Sequence, residues 1–266
     1  MPAPNRRRYH FVDALRGGAM LWMTAYHFGF DLNHFGVIHQ NFYDDPVWTL
    51  QRTGIVSLFL LTAGMGQAMA VAQGQGWPRF GRRWAQIAGC ALLVSAGSGW
   101  MFPRSWISFG VLHAMAVMLL ATRWLLVRGA RRGAVPWALG ALLLAAGPLG
   151  SAWLQGAAPA HPALAAALDS RWGYWLGWVT HKPATEDYVP LLPWWGVMLW
   201  GVGLAQWAQA RQRRAGRPLR WLQQPAAARG PGHGLVLLGR WSLSYYMLHQ
   251  PVMLGALMAW QALRPT

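Results

Sequence analysis

Apolar residues recur along this chain in long, nearly unbroken runs, not in the strict alternation of a half-buried strand or the narrow stripe of a surface helix. The runs fall at about residues 11–30, 47–72, 84–101, 106–127, 134–155, 190–209 and 236–262. Each is close to the ~20 residues a helix needs to cross the hydrocarbon core of a bilayer. The pattern predicts an all-α integral membrane protein, a polytopic bundle of about seven transmembrane helices. No internal repeat is visible, so an inverted-repeat transporter gains no support. Residues 1–266 read as a single transmembrane domain.

The polar residues between the runs set an orientation. Arg6–Arg8 precede the first run, and Arg79, Arg82 and Arg83 lie between the second and third. Arg123, Arg128, Arg131 and Arg132 follow the fourth, and Arg211, Arg213, Arg214, Arg217, Arg220, Arg229 and Arg240 follow the sixth. Seventeen of the 23 basic residues thus sit on alternate connectors or at the run ends that border them. Asp44, Asp45, Asp169, Glu186 and Asp187 all fall on the other side. Cytoplasmic loops are the ones enriched in Lys and Arg, so the N-terminus is expected in the cytoplasm and the C-terminus outside. The first run follows three Arg, is too long for the apolar region of a signal peptide and lacks a small-residue cleavage site. It is expected to remain as a signal anchor. The external connector near 156–189 is rich in Trp and Tyr, suited to the membrane interface. The cytoplasmic one near 210–235 is rich in Arg, Pro and Gly and predicts little stable structure.

Composition narrows the class further. Hydrophobic residues make up 55% of the chain and charged residues 11%, against roughly 25% charged in an average soluble domain. That excludes a disordered chain and leaves a soluble enzyme unable to cover its apolar surface. The single cysteine, Cys90, excludes an intrachain disulfide framework and a multi-cysteine zinc site. A net charge of +16 would suit a nucleic-acid binder, but such a surface needs its basic residues gathered on one soluble face. Here they are dispersed among membrane-length runs, so no nucleic-acid partner is expected.

A charge inside a bilayer costs at least about 2.5–3.5 kcal/mol, so each intramembrane ionisable residue needs a reason. The first run carries Asp13, Arg16, His27 and Asp31. Arg16 and His27 are separated by about three helical turns, which places both on one stripe roughly 16 Å apart along the axis. Asp31 stands one turn beyond His27, where a carboxylate can orient the imidazole. A packing role, with Asp13 paired to Arg16, is the plain alternative to a substrate-lined cavity. Two more histidines, His113 and His249, lie in the fourth and seventh runs at depths different from that of His27. That mismatch argues against paired axial ligands for haem. Arg79, Arg82 and Arg83 can serve topology alone, or their guanidinium forks can hold phosphate. The glycine pairs Gly64/Gly66, Gly97/Gly99 and Gly201/Gly203 suit close helix packing.

With these residues in view, the chain resembles the catalytic-domain family of heparan-α-glucosaminide N-acetyltransferase, in its short bacterial form. The likeness rests on RYHFVDALRGGAMLWMTAYHFGFDL, SLFLLTAGM, RFGRRWAQIA, ISFGVLHAMA, DYVPLLPWWGVMLWG and LGRWSLSYYMLHQPV, which follow one another in the family's order. An Arg and a His separated by ten residues is also similar to the signature of the wider membrane acyltransferases that modify surface polysaccharides. The resemblance implies a multi-pass enzyme of the bacterial inner membrane. It would take an acetyl group from cytoplasmic acetyl-CoA and pass it to an amine or hydroxyl of an extracytoplasmic sugar or glycan. Carried over, Arg16, Arg79, Arg82, Arg83 and His113 form the cofactor-binding set, and His27 with Asp31 the catalytic one. The animal lysosomal members have Asn at the position of His27 and use a histidine further on, near the level of His34 or His39. Both assignments stay open at this point, with His27 taken first. Heparan sulfate itself is not the acceptor expected for so short a chain, and a homodimer is left open. The competing classes are a proton-coupled transporter lined by Arg16, His27 and Asp31, and a haem- or quinone-binding membrane protein.

Overall fold

The computed structural model describes residues 9–129, 133–185, 187–216 and 231–263. Arg6–Arg8, Arg131, Arg132, Glu186, Arg217, Arg220, Arg229 and Arg264 lie outside the described residues. The described residues form nine α-helices and one short 3-10 turn, with no strand among them. The helices are α1 His10–His34, α2 Pro46–Ala72, α3 Trp77–Met101, α4 Val111–Arg128, α5 Val135–Ala157, α6 Pro162–Asp169, α7 Leu191–Arg214, α8 Pro231–Arg240 and α9 Ser242–Ala262. Among the described residues, α2, α4 and α5 are long and apolar enough to cross a membrane. Helices α1, α3, α7 and α9 have 25, 25, 24 and 21 residues. They match the span length.

Three boundaries differ from those read off the apolar runs. Helix α3 begins at Trp77, with Gly76 extended before it and Pro78 in its first turn. Proline is preorganised for that position, so Arg79, Arg82 and Arg83 sit on the helix and not in a connector. The seventh run is two helices. The backbone leaves the helical path at Trp241 (φ −97°, ψ 16°), two residues after Gly239, which lies against α1. The connector near 156–189 is not bare loop: it holds α6 and the 3-10 turn Tyr174–Leu176.

The described chain falls into two compact units, residues 1–62 with 216–266, and residues 63–215. In the first, α1 packs against α8 and α9. A Cβ on Gly17 would run into the Leu235 carbonyl, and one on Gly239 into the Asp13 carbonyl. Small residues at such crossings let backbones touch, which is how helices gain attraction where lipid is as apolar as the side chains. Beyond this crossing, Met20, Met23, Tyr26, Phe42 and Ile55 are buried together, with Phe42 stacked on Trp48 at 4.0 Å between ring centroids.

In the second unit α5 lies along α7, and α3 along α4. Gly140 and Gly196 face each other across α5 and α7, Gly203 lies under the Trp137 ring, and Gly64 meets the Met198 carbonyl. Gly64 and Gly203 therefore serve packing as expected, whereas a Cβ on Gly97 would meet nothing. The connector near 156–189 is tied to the start of α4, because Asp187 Oδ2 accepts the Val111 N–H at 2.7 Å. Tyr188 donates its hydroxyl to the Tyr174 carbonyl at 2.8 Å. Burial, reinforced by Tyr174 and Asp169, holds that hydroxyl protonated far above the usual phenol range.

Candidate active site

The polar residues of α1 meet polar residues of α9 in the first unit. On α9, Tyr245, Tyr246, His249 and Gln250 recur at helical spacing, so one face of an otherwise apolar helix is polar. Gln250 reaches both predicted catalytic residues at once. Its Oε1 lies 2.8 Å from His27 Nδ1, and its Nε2 donates to Asp31 Oδ1 at 2.7 Å. Asp31 is 1% exposed, and His27 is half-buried. The carboxylate expected to orient the imidazole directly does so through an amide.

His249 joins the same cluster. Its ring meets that of His27 edge to face with centroids 5.2 Å apart and stacks parallel to Tyr245 at 5.8 Å. His249 Nδ1 lies 2.7 Å from the Tyr246 carbonyl, and Tyr245 shares a 2.7 Å hydrogen bond with Thr24 of α1. The expected difference in depth between His27 and His249 is thus corrected. Because the last segment begins at Pro231, His249 stands about as far along it as His27 does along α1.

Arg16 stands on the same helix as His27, about three turns back. Its guanidinium donates to Asp13 Oδ1 at 3.5 Å and to the Thr62 carbonyl at 3.4 Å. Both distances are long for charge-assisted bonds. His34 closes α1 and is exposed, as is His39 in the following loop.

The remaining predicted residues belong to the second unit. Arg79, Arg82 and Arg83 project from the first two turns of α3 and are exposed, with Arg83 donating to Gln86 at 3.3 Å. Exposed guanidiniums near a helix N-terminus are a chemically sound cradle for phosphate. His113 is bound on both ring nitrogens: Gly110 N–H donates to Nδ1 at 3.3 Å, and Nε2 lies 3.0 Å from Ser95 Oγ. Ser95 in turn donates to the Ile107 carbonyl at 2.6 Å, so His113 ties α3 to the start of α4.

Two residues escaped sequence reasoning. Arg123, counted among the connector arginines, is inside α4 and 2% exposed. It donates to the Gln75 side chain at 3.2 Å and to the Gln75 carbonyl, and its guanidinium lies over the Trp77 and Phe80 rings. Gln250 was not singled out either. Its only signal was an amide beside a histidine inside an apolar run.

What such a site can do follows from its groups. An imidazole held by an amide and a buried carboxylate can accept a proton from an incoming amine or hydroxyl, or accept an acyl group itself. Compared with known families, residues 8–251 match the model described as "Heparan-alpha-glucosaminide N-acetyltransferase, catalytic". The chain belongs to that family. The match includes all of α1 and extends just past Gln250, so the whole polar cluster lies within the family's catalytic region. Membership makes the chain a membrane protein of acetyltransferase type. No curated protein and no solved structure matches the chain.

Proposed function

We propose that this chain transfers an acetyl group from cytoplasmic acetyl-CoA to an amine or hydroxyl of an extracytoplasmic sugar or glycan, as a seven-span enzyme of the bacterial inner membrane. The observation that carries the reading is the Asp31–Gln250–His27 chain of hydrogen bonds, lying within the catalytic region of an acetyltransferase family. The seven spans are α1, α2, α3, α4, α5, α7 and the α8–α9 segment. The segregation of Arg to alternate connectors supports a cytoplasmic N-terminus and an extracytoplasmic C-terminus.

The chemistry asked of the protein is modest, because a thioester is already activated. The acceptor nitrogen or oxygen attacks the acetyl carbonyl, its proton passes to His27, and the CoA thiolate leaves and is protonated in turn. In a two-step route, the His27 imidazole attacks the thioester and the CoA thiolate leaves; the acceptor then attacks the acetyl-imidazolium, and the freed imidazole takes the acceptor's proton. In the second unit, Arg79, Arg82 and Arg83 are proposed to supply charge for the phosphates of acetyl-CoA; in the first, Arg16 is proposed to do so. The test is an assay of the purified protein in detergent with radiolabelled acetyl-CoA and a panel of amino sugars and neutral sugars. Transfer of label to a sugar is expected. Failure to transfer or hydrolyse, together with proton flux in sealed vesicles, would replace the reading with a proton-coupled transporter.

A further inference from the structure

The hydrogen-bond chain from Asp31 to His27 has a direction. A carboxylate oxygen only accepts, and Asp31 Oδ1 lies 2.7 Å from one end of the Gln250 amide. Asp31 is almost fully buried, and among the described residues its Oδ2 has no hydrogen-bond partner. Turning the amide over would set a carbonyl oxygen against that carboxylate in a site with little water to screen it. The amide nitrogen therefore faces Asp31, and the amide oxygen faces His27 at 2.8 Å. An amide oxygen also only accepts, so the hydrogen of that second bond must come from His27 Nδ1.

We infer that Gln250 is a positioning residue that transmits the polarity of Asp31 to His27, fixing the imidazole as the Nδ1–H tautomer and leaving Nε2 as its basic atom. The inference rests on the acetyltransferase reading only for its kinetic consequence. The tautomer itself is a property of the folded protein. It also explains why an amide, and not a second carboxylate, stands between the two. A carboxylate at 250 would accept from His27 equally well, but it would face Asp31 with like charge across a short contact.

The test is imidazole nitrogen NMR of the full chain in detergent with isotope-labelled histidine, the His27 signals being assigned by their loss in His27→Asn. Wild type is expected to show His27 as the Nδ1–H tautomer alone. Gln250→Leu, close in volume, is expected to mix the two tautomers and lower kcat at least tenfold while leaving KM for acetyl-CoA unchanged. The decisive variant exchanges the polarity: Asp31→Asn combined with Gln250→Glu restores a donor facing an acceptor at both contacts. It is expected to recover the single tautomer and most of kcat. A wild-type His27 protonated on Nε2 would overturn the inference, as would a Gln250→Leu protein with unchanged tautomer and kcat. An exchanged double variant that folds but leaves the tautomers mixed would do the same. If wild type transfers no acetyl group, the spectra still decide the tautomer, so failure of the functional reading is separable from failure of this one.

Discussion

His27 of α1 and His249 of α9 meet edge to face with their rings 5.2 Å apart, so two helices from opposite ends of the sequence build one wall of the site. His249 is in turn held flat against Tyr245, and Tyr245 is anchored to Thr24 of α1. The imidazole of His27 is fixed on one side by a hydrogen bond and on another by a packed ring.

That packing makes His249 replaceable by shape but not by loss. His249→Ala removes the wall and frees His27 to change rotamer, and displacements on the order of 1 Å can cost roughly a hundredfold in rate. A fall in kcat of about ten- to a hundredfold is expected, with His249→Phe retaining most activity. Equal loss in both variants would mean that His249 acts chemically and not by packing.

The helix crossing at Gly17 and Gly239 yields a paired test of the fold. Gly239→Val drives a branched side chain into the Asp13 carbonyl of α1. Overpacking of this kind costs about 1–3 kcal/mol, enough to lower the thermal midpoint in detergent by several degrees. Gly18→Ala, where an added Cβ meets nothing within 4 Å, is expected to leave the midpoint unchanged. Thermal unfolding followed by size-exclusion fluorescence distinguishes the two.

Much of this architecture was legible because a bilayer demands nearly constant helix length, and unbroken apolar runs report it directly. The runs located α1, α2, α5 and α7 to within a few residues. They misplaced the start of α3, since Pro78 and the arginines after it look like connector but suit the first turns of a helix. The α8–α9 break was hidden because the apolar run continues across Trp241. The site was half legible. Asp13, Arg16, His27 and Asp31 share one helix, where spacing alone gives their geometry. Gln250 and His249 reach His27 only through packing of α1 on α9, which no local pattern records. Arg123 was misread for a similar reason: its partners Gln75, Trp77 and Phe80 come from elsewhere in the fold.

Orientation is tested by reporter fusions. Alkaline phosphatase joined after residue 170 is expected to be active and after residue 222 to be silent, because the first connector is poor in Arg and the second rich in it. The opposite pattern would reverse the side from which acetyl-CoA enters.

The donor site is tested by charge removal. Arg82 and Arg83 are exposed on α3, so changing both to Gln leaves the packing intact. Charge-assisted phosphate contacts are worth about 1.5–3 kcal/mol each, and at least a tenfold weaker affinity for acetyl-CoA is expected by calorimetry. Unchanged affinity would confine these residues to setting topology.

The central claim is that His27 performs the acyl transfer, and acetyl transfer by His27→Ala measures it most directly. The variant is expected to insert and stay monodisperse, since alanine is easier to place in a bilayer than imidazole. Loss of a general base costs typically 10²–10⁴-fold, and loss of a covalent acetyl acceptor more. His34→Ala and His39→Ala, at exposed positions outside the polar cluster, are expected to keep most activity in the same assay. An active His27→Ala protein beside an inactive His34→Ala or His39→Ala protein would contradict the account and move the catalytic histidine to the loop after α1.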